Sequence, residues 1–339
     1  PRQRSRRSKA RPHLTKRHRK VPFLHVAVDL PKMDIFLQQI INGLVQGSIY
    51  ALVALGYTMV YGIMGLINFA HGEVVMIGTL VTITVATTLI KAGMPVAVAG
   101  LAGLGSAVLV CMALGWGLER IAYRPLRNAP RLTPLITAIG MSIVLQNVAM
   151  IVWGRNYLTF PHLLPKVNFE FAGAHFTAIQ VMIVVVSGLT MAGLVLLVYR
   201  TKLGMAMRAT AQNPQVASLM GVNSNRVISA AFVIGSALGA LAGVMVGSYY
   251  EIAHYQMGFM LGLKAFTAAV LGGIGNLAGA MAGGILLGII EALGAGYIGD
   301  LTGGFLGSHY QDIFAFVVLI VVLMFKPSGL FGEKTGDRA

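Results

Sequence analysis

The sequence predicts an all-α fold, a polytopic membrane helix bundle of about eight spans with at least one Gly-interrupted segment. Composition points there first: hydrophobic residues make up 56% of the 339-residue chain and charged residues 11%, against about 25% charged in an ordinary soluble domain. The 42 glycines suit helices whose backbones approach closely in lipid. The second observation is the spacing of apolar runs. A spanning helix needs about 20 mostly apolar residues, and from Ile35 onward the candidate segments lie near 35–60, 62–90, 96–118, 132–153, 177–198, 227–249, 263–294 and 310–325. The third is that two of these segments are irregular. The second carries Asn68, His71 and Glu73 in its first half. The seventh is too long for one simple span and is cut by Gly272, Gly273 and Gly275. Interrupted helices are tolerated at membrane depth where protein or a water-filled cavity satisfies the freed backbone.

Ahead of the first span lies a basic stretch. The net charge of +15 comes mostly from residues 1–32, where Arg2, Arg4, Arg6, Arg7, Lys9, Arg11, Lys16, Arg17, Arg19, Lys20 and Lys32 are opposed by Asp29 alone. We read 1–32 as a disordered extension upstream of a start at Met33, 33–332 as the transmembrane domain, and 333–339 as a polar tail. Such a tail can also sit on anionic headgroups. A nucleic-acid partner is not expected, because no folded readout module follows. No apolar run before Met33 is long enough for a signal peptide.

Orientation follows from the short loops, because Lys and Arg concentrate on the cytoplasmic side. Arg120, Arg124, Arg127 and Arg131 crowd loop 119–131, and Arg200, Lys202, Arg208 and Arg226 crowd loop 199–226. Two helices separate them, so both loops face the cytoplasm and 154–176 becomes an irregular external segment. Counting back through three spans puts residue 33 outside. That conflicts with a dense basic tail, unless the tail is not native or an element around Gly62–Glu73 is discontinuous.

Enzyme chemistry is not expected. The chain has no G-x-x-x-x-G-K-[ST] to cradle ATP phosphates. No His set has metal-ligand spacing, and the single Cys111 excludes a disulfide framework. No metal or cofactor is expected.

The polar residues inside spans are the site candidates, since ionisable groups at the bilayer centre cost about 2.5–3.5 kcal/mol on insertion scales. Asn68, His71 and Glu73 form the first set; at helical spacing Asn68 and Gly72 share a face. They either line a pathway or form a structural network. Asn42, Gln46 and Tyr50 make a polar stripe beside the small stripe Gly43, Gly47 and Ala51, either pore-facing or bonding between helices. Gln146 and Asn147 carry the same two readings. Gly235, Gly239, Gly243 and Gly247 repeat every fourth residue, a close-packing stripe. In 199–227, Asn213 suits an N-cap ahead of Pro214 at a helix start, giving a short helix on the cytoplasmic face where a soluble partner can dock.

Several of these stretches, in order, resemble LivH-type permeases of branched-chain amino acid ABC transporters. The loop Arg200–Pro214, with R-T-x-x-G-x-x-x-R-A-x-x-x-N-P followed by Leu219-Met220-Gly221-Val222-Asn223, is similar to the family's coupling loop. Gln46–Leu52, Gly65–Glu73, Phe266–Asn276 and Lys326–Gly332 resemble its other signatures. The resemblance implies a multi-pass protein of the bacterial inner membrane that imports leucine, isoleucine or valine, or a related amide or urea. It implies a LivM-like second permease, a periplasmic amino-acid-binding protein, and two cytoplasmic ATPase subunits that bind the ATP. It assigns ATPase coupling to Arg200, Gly204, Arg208, Ala209, Asn213 and Gly221. It marks Asn68, His71, Glu73, Gly273 and Asn276 as pathway candidates, beside Asn42 and Gln46. The Gly-interrupted segments 62–80 and 266–288 fall in opposite halves, a pointer to a midplane site. A stand-alone secondary transporter or channel is the competing class; sparse intramembrane acids count against it.

Overall fold

The computed structural model describes residues 30–127, 129–130, 132–163, 167–171, 173–301 and 311–332. Most of the basic stretch, Arg131 and the tail 333–339 lie outside the described residues. Within them the helices are α1 (Leu30–Met64), α2 (His71–Lys91), α3 (Val96–Leu118), α4 (Leu132–Trp153), α5 (Ala178–Arg200), α6 (Lys202–Gln212), α7 (Pro214–Leu219), α8 (Ser224–Tyr250), α9 (Met257–Gly272), α10 (Leu277–Leu301) and α11 (Gln311–Phe325). Four short strands join them: β1 (Leu158–Thr159), β2 (Asn168–Phe171), β3 (Ala174–Thr177) and β4 (Ile252–Ala253).

Seven helices, α1 to α5, α8 and α10, are long and apolar enough to cross a membrane, and α9 and α11 are shorter apolar helices. The expected count was about eight, and the last candidate, 310–325, is here the shorter apolar helix α11. Segment 263–294 is two helices, because Gly273 (φ 109°) and Gly275 (φ 95°) take backbone conformations that no helix continues through. Segment 62–90 is also divided differently. α1 runs through to Met64, residues 65–70 are non-helical, and α2 begins at His71.

The two faces of the bundle are fixed by side-chain contacts. Arg127 Nη1 donates to Asn225 Oδ1 at 2.5 Å, and Ser229 Oγ donates to Glu119 Oε2 at 2.7 Å. Loops 119–131 and 199–226 therefore share one face, as their charge implies. On the other face Gln38 Nε2 donates to His175 O at 2.9 Å, so α1 starts beside the 154–177 segment. The break before α2 does not alter this parity. That outer segment is less irregular than expected: β2 and β3 form a hairpin, and β1 pairs with β4 after α8. α8 ends at Glu251 in the left-handed region (φ 58°), and Phe160 N donates to Glu251 O at 2.9 Å.

α1 is the central post. In its most apolar window 78% of residues are buried, against 22% in α4. It packs most extensively on α10. The stripe Gly43, Gly47 and Ala51 is the surface that α10 presses, and a Cβ at Gly43 would meet Ile289 Cα at 2.6 Å. The α8 glycine stripe receives Gly56 at Gly235, His71 at Gly239, Val75 and Thr79 at Gly243, and Phe160 at Gly247. α3, α4 and α5 instead expose Leu101, Leu109, Ile136, Ile151 and Leu189 outward, the outside-apolar pattern of a lipid-facing surface.

Candidate translocation site and coupling face

The break before α2 is built by Asn68. Its Oδ1 accepts from Ala70 N at 3.1 Å and from the Tyr123 hydroxyl at 2.9 Å. Asn68 thus precedes the helix and shares no helical face with Gly72. His71 is buried against Gly56 and Gly239, edge-on to Tyr57 with ring centroids 5.0 Å apart.

Glu73 is fully buried. Its Oε1 accepts from Ser142 Oγ at 3.0 Å and Gln146 Nε2 at 2.7 Å, both from α4, while Oε2 has no hydrogen-bond partner. Beside it α2 and α9 cross at close range: a Cβ on Gly72 would stand 2.8 Å from Gly262 Cα, and one on Gly258 would stand 2.5 Å from Glu73 Oε2. The carboxylate lies in the first turn of α2 and against the first turn of α9. Helix N-termini favour negative charge, and among the described residues no salt bridge reaches Glu73. A cavity of about 650 Å³ opens between α4 and α9, lined by Tyr57, Phe69, Ser142, Gln146, Phe259 and Leu263 among others. The two donors to Glu73 form part of its wall.

The remaining polar candidates bond between elements. Asn42 Oδ1 accepts from Gln38 Nε2 at 3.2 Å and from Gln180 Nε2 of α5 at 3.5 Å. Gln46 Nε2 donates to the Tyr250 hydroxyl of α8 at 3.4 Å. Asn147 Nδ2 donates to Ile143 O within α4. Asn276 Oδ1 accepts from Gly279 N at 3.0 Å, opening α10, and its Nδ2 donates to Phe331 O at 3.1 Å. Gly273 lies against Gly332, where a side chain would collide with backbone. The terminal segment completes this junction: Leu330 N and Phe331 N donate to Leu271 O and Gly272 O, both at 2.9 Å. These are the last carbonyls of α9, which a helix end otherwise leaves unpaired.

A second ionic cluster escaped sequence reading. Lys264 Nζ of α9 lies 2.5 Å from Glu291 Oε1 of α10 and 2.7 Å from Asp312 Oδ1 of α11. The Tyr50 hydroxyl of α1 is 3.4 Å from the same ammonium. Each residue stands alone in its apolar stretch, and nothing local links them. Three lone charges in neighbouring late helices were the available signal. Among the described residues no three His, Cys, Asp or Glu converge as a metal site.

On the basic face, loop 199–226 folds into α6 and α7. Thr201 caps α6, accepting from Gly204 N at 3.1 Å, and Asn213 caps α7, accepting from Gln215 N and Val216 N at 3.0 and 3.1 Å, with Pro214 in the first turn. Gly204 is buried against the carbonyls of Leu197 and Val198. Arg208 donates to Val198 O and lies over the Tyr199 ring, 5.3 Å from its centroid. Both fasten α6 to the end of α5. Gly221 turns the chain with φ 84°, and Asn223 caps α8 by accepting from Arg226 N at 3.1 Å. Arg200 is exposed and Ala209 half-buried. The apolar side chains Met205, Val216, Leu219 and Met220 project outward, the last two 85% and 82% exposed.

The family model described as "Branched-chain amino acid transport system / permease component" matches residues 39–323. The chain belongs to that permease family. As a family member it is similar, at 48% identity over 91% of its length, to all of the high-affinity branched-chain amino acid transport system permease protein BraD of Pseudomonas aeruginosa. It is 45% identical, over 89% of its length and 97% of the relative's, to the corresponding LivH protein of Escherichia coli K12. The xylose/arabinose import permease protein XylH of Sulfolobus acidocaldarius is 27% identical over 81% of this permease and 74% of its own length.

Proposed function

We propose that this permease is the membrane subunit of an ATP-driven importer of branched-chain amino acids in a bacterial inner membrane. It works beside a LivM-like second permease, a periplasmic amino-acid-binding protein and two cytoplasmic ATPase subunits. The BraD and LivH relatives support the substrate and weigh against urea or amides. The observation that carries the coupling is the exposed apolar row on α6 and α7. Such an exposed apolar row marks a contact surface, here for the ATPase, and Gly204 and Arg208 tie it to α5, so a push on α6 reaches a spanning helix. Arg200, Ala209, Asn213 and Gly221 complete that face.

In this reading the solute passes along the α2–α4–α9 side. Glu73 orders Ser142 and Gln146 in the cavity wall, Asn68 and His71 hold the start of α2, and Gly273 and Asn276 hold the α9–α10 break. Asn42 and Gln46 brace α1 against α5 and α8. The test is radiolabelled leucine uptake in cells lacking their own branched-chain permeases, with the partner subunits supplied. We expect leucine uptake that urea does not compete. The double variant Leu219→Ser/Met220→Ser should accumulate in the membrane yet lose co-purification of the ATPase; normal co-purification would remove the docking role.

A further inference from the structure

A separate cavity of about 260 Å³ lies between α1, the end of α8 and the start of α9. It sits on the outer side, since Tyr157 lines it and the neighbouring His254 ring nitrogen is 3.1 Å from Arg155 O. Its wall combines an apolar part (Val246, Met257 and Leu261) with three donors: Lys264 and the hydroxyls of Tyr50 and Tyr250.

We propose that this cavity is an outer-side binding site for a zwitterionic aliphatic amino acid, with the Lys264 ammonium taking the ligand's carboxylate. The inference rests on the reading that the permease moves amino acids, and it names the group that first recognises one.

The placement of the charges supports it. Two carboxylates, Glu291 and Asp312, face one ammonium. Glu291 also accepts from the Tyr50 hydroxyl, and Lys264 Nζ lies 2.7 Å from Asp312 Oδ1. Of the three charged groups only Lys264 lines the cavity, so the wall presents an ammonium there. A carboxylate can meet it while an aliphatic side chain lies on Val246, Met257 and Leu261. If the network served only to hold α9, α10 and α11 together, well-packed apolar residues would do as well, because buried ion pairs rarely outperform them. What apolar residues cannot do is present charge to the cavity. The Tyr250 hydroxyl, which accepts from Gln46, adds a neutral donor for the carboxylate's remaining lone pairs. Met260 lines both this cavity and the larger one beside Ser142 and Gln146, so a flexible thioether separates the two.

The experiment uses the whole transporter reconstituted in proteoliposomes with its binding protein, and reads KM and maximal rate for leucine. Lys264→Met is expected to lower uptake efficiency about 10- to 100-fold, the loss of a charged hydrogen bond. The reversed pair Lys264→Glu/Glu291→Lys separates ligand contact from architecture. We expect it to restore assembly, read by size-exclusion of the complex, but not leucine uptake. Reversed-pair uptake at the wild-type level would make the network structural and overturn the site. Tyr250→Phe removes one cavity hydroxyl without touching the ion pairs and is expected to raise KM about 2- to 10-fold. If neither Lys264 variant assembles, this measurement decides, and an unchanged KM overturns the proposal. A wild-type transporter that moves no leucine would instead overturn the underlying function.

Discussion

Glu73 and Glu291 are both fully buried, yet the protein accommodates them in opposite ways. Glu73 is held by neutral donors, Ser142 and Gln146, and by the starts of two helices. Glu291 is held by an ammonium at 2.5 Å. The first arrangement can be rearranged by turning a hydroxyl and an amide. The second requires separating charges in a low-dielectric interior, where an uncompensated ion costs several kcal/mol. The region between α2, α4 and α9 is therefore built to adjust, and the region between α9, α10 and α11 to hold until something replaces a charge.

The contrast can be broken at its stiffest point first. Lys264→Ala strands two carboxylates and is expected to destabilise the detergent-solubilised protein by about 3–5 kcal/mol, read as a large fall in unfolding temperature. A loss below about 1 kcal/mol would place Glu291 in the same class as Glu73. Glu73→Ala leaves the Ser142 hydroxyl and Gln146 amide without their acceptor and should cost about 1–3 kcal/mol. Glu73→Gln should recover part of this, since no cation is left unpaired, and full loss in the Gln variant would show that the negative charge itself is needed. Ser142→Ala removes one donor of two and is expected to cost about 0.5–1.5 kcal/mol. Smallest in stability is Leu219→Ser/Met220→Ser, within about 0.5 kcal/mol in the isolated permease because both side chains are already exposed. A larger shift there would mean that α7 is packed more tightly than it looks.

The same pair of sites shows what could be read in the sequence. Glu73 stood out because it shares a short stretch with Asn68, His71 and Gly72. Its partners Ser142 and Gln146 did not, since their meeting depends on how α4 leans on α2. Gln146 is legible as a polar residue in a span, either pore-facing or bonding between helices, but its bond to Glu73 is not. The Lys264 network offered three lone charges in the sequence, but their meeting depends on how α9, α10 and α11 pack. The helical bundle, the two faces and the cap at Asn213 follow from local rules of apolar length, loop charge and side-chain capping, and they appeared largely where those rules put them. The Gly-rich break in segment 263–294 was likewise legible in the sequence. Gly273 and Gly275 cut one long apolar run in two. The chain before α2 bends where Asn68, rather than any hydrophobicity pattern, dictates it.

The clasp at the end of the chain has a consequence in time. The last two carbonyls of α9 wait for Leu330 and Phe331, and Asn276 and Phe331 are 55 positions apart. At about 5–20 residues per second of synthesis, α9 stays unsealed for roughly 3–11 seconds after its own break has been made. The α9–α10 turn can therefore be fully bonded only after Leu330 and Phe331 have been made.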